Sequence, residues 1–310
     1  MDEFARIARF FAPLAGEAGL GLKDDAALLM PPPGRQLVLT VDQMLESVHF
    51  FSHDDPAFIA RKLLRRNLSD LAAMGAAPLG YLLTTALPAS LGEDWLERFA
   101  AGLGEDQRRF GIRLMGGDSS SARVDISLTA TLIGTVAPGE ALPRNGARAG
   151  DEIWVTGTIG DAALGLEARR GALADPTGDL TRRSLLPEPR LGLSLAGLVT
   201  AAIDVSDGLV QDLGHICEGS GLGAELWAGR VPASPAAAAL GPDYLAPRLT
   251  GGDDYELLLA VPPERGEALR AACGLLPVTR IGVFRPGAGV RVVGPNGAPL
   301  DLASPGWKHF

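Results

Sequence analysis

A mixed α/β class in two domains is what this 310-residue sequence predicts. Three observations carry it. Short β-prone apolar runs and segments of helical periodicity mix in both halves of the chain. At roughly 100–200 residues per domain, the length allows two separate cores. A stretch rich in Gly, Pro and Arg, Pro138 to Gly150, interrupts the pattern near the middle, and the junction is placed there, giving domains 1–137 and 138–310. Periodicity does not choose between α/β and α+β.

The elements follow in order. Gln36 to Val41 is apolar and β-prone, a strand. Ala57 to Met74 brings Phe58, Leu64, Leu68 and Leu71 near one face, a helix. Leu79 to Leu87 and Ile126 to Val136 read as strands, with an amphipathic helix, Asp94 to Phe110, between them. Past the junction come a short strand, Ile153 to Thr156, and helical segments at Asp161 to Arg170 and Asp207 to Cys217. Glu256 to Val261 and Val290 to Val293 read as strands, and the alanine run Ala236 to Ala239 as helix or loop. No tandem repeat or long low-complexity tract occurs.

Composition narrows the function. Hydrophobic residues make up 46% and charged residues 21%, a globular balance. A net charge of −9 disfavours nucleic acid and anionic membrane as partners, since both want clustered Lys and Arg. It leaves anionic phosphates possible if metal ions stand between. Cys217 and Cys273 form no C-x-x-C and read as two reduced thiols. The N-terminus lacks the basic and apolar regions of a signal peptide, and no uncharged run of about 18 apolar residues could span a membrane. The cytoplasm is the expected location.

The carboxylates are the chemical signal. Many stand at the ends of apolar strands or in Gly-rich turns: Asp24-Asp25, Asp42, Asp70, Asp118 in Gly116-Gly117-Asp118, Asp204 and Asp207 in Asp204-Val205-Ser206-Asp207-Gly208, and Asp253-Asp254 after Gly251-Gly252. Any one of these could simply open a turn or cap a helix. The set is harder to explain so. Two carboxylates about 5 Å apart repel by roughly 3 kcal/mol at an effective dielectric near 20, so a convergent cluster calls for cations. Hard oxygen ligands suit Mg²⁺, which substrate phosphates commonly complete. A polyphosphate such as ATP follows as substrate class. There is no P-loop, no dinucleotide fingerprint and no protein-kinase catalytic loop, which leaves an Asp-rich ATP enzyme of another kind.

These segments resemble the thiamine-monophosphate kinase family, of the superfamily that includes aminoimidazole ribonucleotide synthetase and selenophosphate synthetase. The matching stretches are DDAALL (24–29), TVDQMLESVHF (40–50), NLSDLAAMGAAPL (67–79), GGDSS (116–120), RNGARAGDEIWVTGTIGDAALGL (144–166), DVSDGLVQDLGHI (204–216), GGDDYELLL (251–259) and GWKHF (306–310). The resemblance implies two mixed α/β domains of the synthetase type, the first binding ATP and Mg²⁺ and dimerising through its sheet, the second completing an active-site cleft. It implies transfer of the ATP γ-phosphoryl group to thiamine monophosphate, with several Mg²⁺ ions, in a homodimer. By matched position the metal ligands are Asp25, Thr40, Asp42, Asp70, Asp118, Asp204 and Asp207. ATP meets Gly117, Asp118, Arg144 and Ser206. Thiamine monophosphate meets His49, Asp253 and Trp307.

Three positions depart from the family pattern: Lys23 stands where Gly is usual, Val41 where a second Thr is usual, and Asp253 where Glu is usual. The Val41 change is expected to remove a side-chain oxygen from the site. Neither cysteine precedes residue 217, which counts against a selenophosphate synthetase, typically marked by an early reactive Cys or selenocysteine. Without the resemblance, His49 reads as a structural histidine, Arg144 as a linker arginine and Trp307 as an anchor for the tail. Asp161 reads as a helix N-cap.

Overall fold

A computed structural model describes residues 3–307; Met1, Asp2 and the Lys308-His309-Phe310 end of the GWKHF segment lie outside the described residues. The chain divides into two compact units. One runs to Leu71 and resumes over Ala76–Gly139, and the other joins Ala72–Gly75 to the chain from Glu140 onward.

The first unit begins with a short helix, α1 (Glu3–Arg6), and strand β1 (Gln36–Leu45). Helix α2 (Pro56–Ala73), β2 (Ala77–Pro88), α3 (Glu93–Phe110), β3 (Arg113–Ala122) and β4 (Ser127–Val136) follow. The sheet order is β1-β4-β2-β3. β4 pairs antiparallel with β1 and β2, while β3 runs parallel to β2, so a crossover is needed between them and α3 supplies it. β1 alternates as a half-covered strand should: Leu37, Leu39 and Val41 are exposed, while Thr40 and Asp42 are partly covered and Met44 is buried. Helix α2 buries Leu63, Leu64, Leu68 and Leu71, and α3 buries Leu96, Phe99 and Leu103, each contributing about 1.5–3 kcal/mol. Arg65 of α2 and Asp106 of α3 form a buried pair, Nε to Oδ2 at 2.6 Å.

In this unit one element differs from expectation. Gly116-Gly117-Asp118 reads as a Gly-rich turn, yet it lies inside β3. Gly, Asp and Ser are poor strand formers, and pairing along β2 overrides that preference.

The second unit contains β5 (Glu152–Thr156), α4 (Asp161–Arg169), α5 (Asp179–Leu185), β6 (Ala201–Asp204), α6 (Leu209–Ser220) and β7 (Gly223–Trp227). It continues with α7 (Pro235–Ala239), α8 (Leu245–Thr250), β8 (Leu257–Val261), α9 (Gly266–Cys273), β9 (Val278–Arg285) and β10 (Gly289–Val293). The sheet order is β10-β7-β9-β5-β8-β6, antiparallel except between β10 and β7. Alternate residues of the central strands enter two cores. Ile153, Val155, Leu258 and Ala260 join one cluster with α6, and Trp154, Leu257, Leu259 and Val261 join the other with α9. The sheet is therefore covered on both faces, which explains the unbroken apolar run of β8. Cys217 and Cys273 are free and buried. Among the described residues no helix is long and apolar enough to cross a membrane.

Candidate active site

In the first unit, β1 and α2 bring three of the expected ligands together. The Thr40 hydroxyl donates to Asp70 Oδ2 at 2.5 Å. Asp42, two residues along the same strand face, has Oδ1 3.6 Å from Arg66 Nη2. Arg66 and Asp70 are one turn apart on α2, so the helix presents a cation and an anion to the same strip of β1.

Asp25 and Asp118 belong to another surface. Both are exposed and line a cavity of about 710 Å³ with Asp24, Thr84 and Ser119, walled partly by Phe11. Asp118 sits opposite Thr84 in the parallel pairing, and Gly117 opposite Leu83. The strands approach so closely there that a Cβ at 117 would stand 1.8 Å from the Leu83 carbonyl oxygen. Glycine at 117 is thus demanded by packing, whatever else it does.

His49 follows β1. Its Nδ1 accepts the Leu45 N–H at 3.0 Å, so the neutral ring carries its proton on Nε2.

Two of the departures acquire a physical account here. Lys23 has φ −111°, an ordinary conformation that needs no glycine. Val41 is 61% exposed and points away from the face that carries Thr40 and Asp42. Strand alternation sends the side chain at 41 to the other side of the sheet, where its ladder partner Thr131 lines the cavity that Asp118 also lines, so any oxygen lost with Val41 is lost on the Asp118 side rather than beside Thr40.

In the second unit, Ser206, Asp207, Asp253 and Trp307 gather round one loop. Strand β6 ends at buried Asp204, and the next residues turn into α6. The turn is held from within the helix: Asp212 Oδ2 accepts the N–H groups of Ser206, Asp207 and Gly208 at 3.0, 3.1 and 3.1 Å. Burial, with Asp204 and Asp207 nearby, pushes the Asp212 carboxyl up to about 7. The Gly251–Glu256 segment runs alongside, with Asp253 N–H donating to Ser206 O at 2.9 Å and Tyr255 N–H to Val205 O at 2.8 Å. Asp253 and Tyr255 both have positive φ, 69° and 53°, and the Tyr255 hydroxyl donates to Asp253 Oδ1 at 3.0 Å. Asp tolerates this region better than most side chains, and such strain collects at functional sites, which gives the third departure a backbone rationale.

The tail closes on the same loop. Trp307 N–H donates to Asp207 O at 3.0 Å, and its carbonyl accepts from Gln211 Nε2 at 2.8 Å. The residue is 54% exposed, so it does not anchor the tail by burial. Arg144 is exposed in the connection between β4 and β5.

Sequence reasoning passed over several residues. Asp212 and Gln211 resemble ordinary first-turn residues of α6. Asp254, fully buried, accepts from Gly160 N at 2.6 Å and Ala162 N at 3.2 Å, so it caps α4 from outside. Burial pushes it up to about 8. The N-cap position belongs to Gly160 rather than Asp161, whose carboxylate instead accepts the hydroxyls of Thr158 and Ser234 at 2.5 and 2.6 Å. Fully buried Glu256 is met by Arg183 at 2.9 Å, by Arg190, and by the Thr156 hydroxyl at 2.7 Å. The one available signal was that DDYE follows two glycines, as a chain forced into tight backbone contact would.

The donors suit a hard divalent cation. They are carboxylates in both units, with the Thr40 hydroxyl in the first, and Asp212, pushed up mainly by its burial, also feels the like charges of Asp204 and Asp207. Donor atoms of Asp207, Asp212 and His215 also lie within 4.8 Å of one another, but Asp212 spends Oδ2 on three amides and so is a poor member of that trio.

The chain is similar to known proteins over nearly its whole length. Residues 23–136 match the AIR synthase related protein N-terminal domain and 148–294 the corresponding C-terminal domain. The chain is 42% identical to the thiamine-monophosphate kinase of Caulobacter vibrioides, covering 99% of this chain and 90% of that one. It is 41% identical to the crystal structure of the thiamine-monophosphate kinase from Stenotrophomonas maltophilia K279a, with TM-score 0.85, covering 97% and 98% of the two chains. AaThiL complexed with AMPPCP and TMP is similar at 30% identity and TM-score 0.80, covering 99% and 97%. With two synthetase-type domains and full-length relatives at this identity, the chain belongs to the thiamine-monophosphate kinase family of AIR synthase related proteins.

Proposed function

We propose that the protein transfers the γ-phosphoryl group of ATP to thiamine monophosphate, giving thiamine diphosphate and ADP. The observation that carries this reading is the loop at Ser206–Asp207, against which a carboxylate with strained backbone (Asp253) and an outward indole (Trp307) are both fastened. A relative of similar fold that binds an ATP analogue together with TMP supports it.

Asp25, Thr40, Asp42, Asp70, Asp118, Asp204 and Asp207 are the residues that would hold Mg²⁺, which when bound neutralises phosphate charge and lets two anions approach. Gly117, Asp118, Arg144 and Ser206 bind ATP. Arg144 suits phosphate because a guanidinium offers a planar donor fork. Ser206 acts through its hydroxyl, since its N–H is bound to Asp212 and its carbonyl to Asp253. His49, Asp253 and Trp307 bind thiamine monophosphate, the indole face meeting the thiazolium cation or the pyrimidine.

An acceptor phosphate oxygen attacks the γ-phosphorus in line. A new P–O bond forms as the bond to the β–γ bridging oxygen breaks, and ADP leaves with that electron pair. The nucleophile is anionic near neutral pH, so no general base and no phosphorylated residue is required. The exposed apolar residues Leu37, Leu39 and Val41 of β1, with Leu82 of β2, support a homodimer formed through this sheet. Two buried free thiols suit a reducing cytoplasm.

Phosphorus NMR of ATP, Mg²⁺ and thiamine monophosphate tests the reaction. Thiamine diphosphate and ADP should appear in equal amounts and only with divalent metal. ADP formed with thiamine monophosphate untouched would remove the acceptor assignment.

A further inference from the structure

We propose that Gln211 is a positioning residue for thiamine monophosphate: its one amide group fastens the backbone of Trp307 to the carboxylate of Asp207. The inference rests on the reading above, in which Trp307 meets the thiamine moiety and Asp207 a metal ion.

The geometry is specific. Gln211 Nε2 donates to Asp207 Oδ2 at 3.0 Å and to Trp307 O at 2.8 Å, which uses both of its hydrogens. Trp307 N–H donates to Asp207 O at 3.0 Å, so two hydrogen bonds hold the tail, and a third ties Gln211 to the Asp207 carboxylate. The amide cannot be turned round, because Oε1 would then face two acceptors. As it stands, Oε1 is buried and has no hydrogen-bond partner among the described residues. The fold accepts an unmet acceptor to set two donors at these points, a cost typical of positions kept for function. Gly306 completes the fit: a Cβ there would stand 2.6 Å from Gln211 Cβ and 2.7 Å from Asp207 O.

These bonds are to the backbone of Trp307, and the residue as a whole is 54% exposed. Tail anchorage by itself would bury the ring. A backbone grip with an outward ring is how a side chain is presented to a ligand. The same amide meets the Asp207 carboxylate, but the Ser206–Gly208 backbone is held independently by Asp212, so loss of Gln211 frees the tail and leaves the loop in place.

The test is calorimetric titration of the full chain with thiamine monophosphate and, separately, with a non-hydrolysable ATP analogue plus Mg²⁺, beside melting curves. Gln211→Met keeps length and removes both donors. It should weaken thiamine monophosphate about tenfold, the factor that one lost hydrogen bond of orientation implies. Affinity for the ATP analogue should stay within about twofold, and the KM for thiamine monophosphate should rise far more than kcat falls. Gly306→Ala pushes the tail off with Gln211 intact and should give the same selective loss; it decides the matter if the first variant does not fold. Unchanged affinity for thiamine monophosphate in a folded variant, or equal losses of both ligands, would overturn the role of Gln211. If the unaltered protein does not bind thiamine monophosphate, the substrate reading falls and takes this inference with it. If W307A loses that affinity while Gln211→Met keeps it, only the inference falls.

Discussion

The expected ligands of the first unit and two buried acids of the second are held in opposite ways. In the first, side chains hold side chains: Thr40 donates to Asp70, Asp42 lies by Arg66, and Asp25 and Asp118 stand exposed on a cavity wall. Asp212 and Asp254 of the second unit have the backbone as partner, Asp212 taking three amides and Asp254 two. A carboxylate on side chains can turn toward an incoming cation at little cost. A carboxylate that collects backbone amides is part of the architecture, and its loss is felt in folding. The contrast separates acids that serve chemistry from acids that build the place where chemistry happens.

The largest effect should come from the first group. Asp42→Asn, Asp70→Asn or Asp118→Asn should lower turnover by about 100-fold or more, as expected when a metal ligand is lost. The fold should survive, and the metal-free protein should melt no earlier, since one repelling charge is gone. A variant that is inactive because it is unfolded would erase the contrast.

Next is Asp254→Ala, which leaves two amide N–H groups of α4 without their acceptor and should cost about 2 kcal/mol. The pH dependence sharpens the point. In the folded protein Asp254 is pushed up to about 8, far above the unfolded value near 4. Its contribution is therefore complete below about pH 4 and is lost as pH rises through about 8. Denaturant unfolding of the parent and Asp254→Ala across that range should show a flatter profile for the variant. Parallel profiles would mean that Asp254 does not titrate as its burial dictates.

These two predictions divide along a line the sequence left blurred. Asp42, Asp70 and Asp118 stood out in the sequence because the first follows an apolar strand, the second lies beside the apolar run of α2 and the third follows two glycines. Strands β6, β7 and β9 were passed over, but six strands and the long helices were legible from periodicity. β3 was not, because what makes Gly116-Gly117-Asp118 a strand is the Leu83 carbonyl of another segment. Asp253 and Asp254 are adjacent and alike in sequence, yet one faces Tyr255 and the other caps α4. Gln211 and Asp212 carry no signal in a single chain, since solvated helix turns are full of such residues.

Smaller effects probe the ligand side. Trp307→Ala should weaken thiamine monophosphate roughly 2- to 30-fold, the range of a cation–π or stacking contact, and leave ATP binding nearly unchanged. An earlier melting point with both affinities equally altered would return Trp307 to a purely structural role. The smallest effect is expected for Val41→Thr. Its side chain faces away from Thr40 and Asp42, toward the sheet face that carries Thr131 and Asp118, so turnover should change by no more than about 2-fold. A large gain would mean that a hydroxyl at 41 joins Asp118 in holding the metal.

The two thiols offer a built-in clock. Cys217 lies in the core on one face of the second sheet and Cys273 in the core on the other. Burial pushes the Cys217 thiol up to about 11 and raises Cys273 as well, so neither is a nucleophile while the unit stays closed. Alkylation of the native protein then proceeds only as fast as each core opens, and peptide mapping reads the two opening rates separately. With no other cysteine in the chain, the first unit is silent in that measurement. Ligands that slow labelling at one thiol and not the other would reveal which side of the sheet they stiffen.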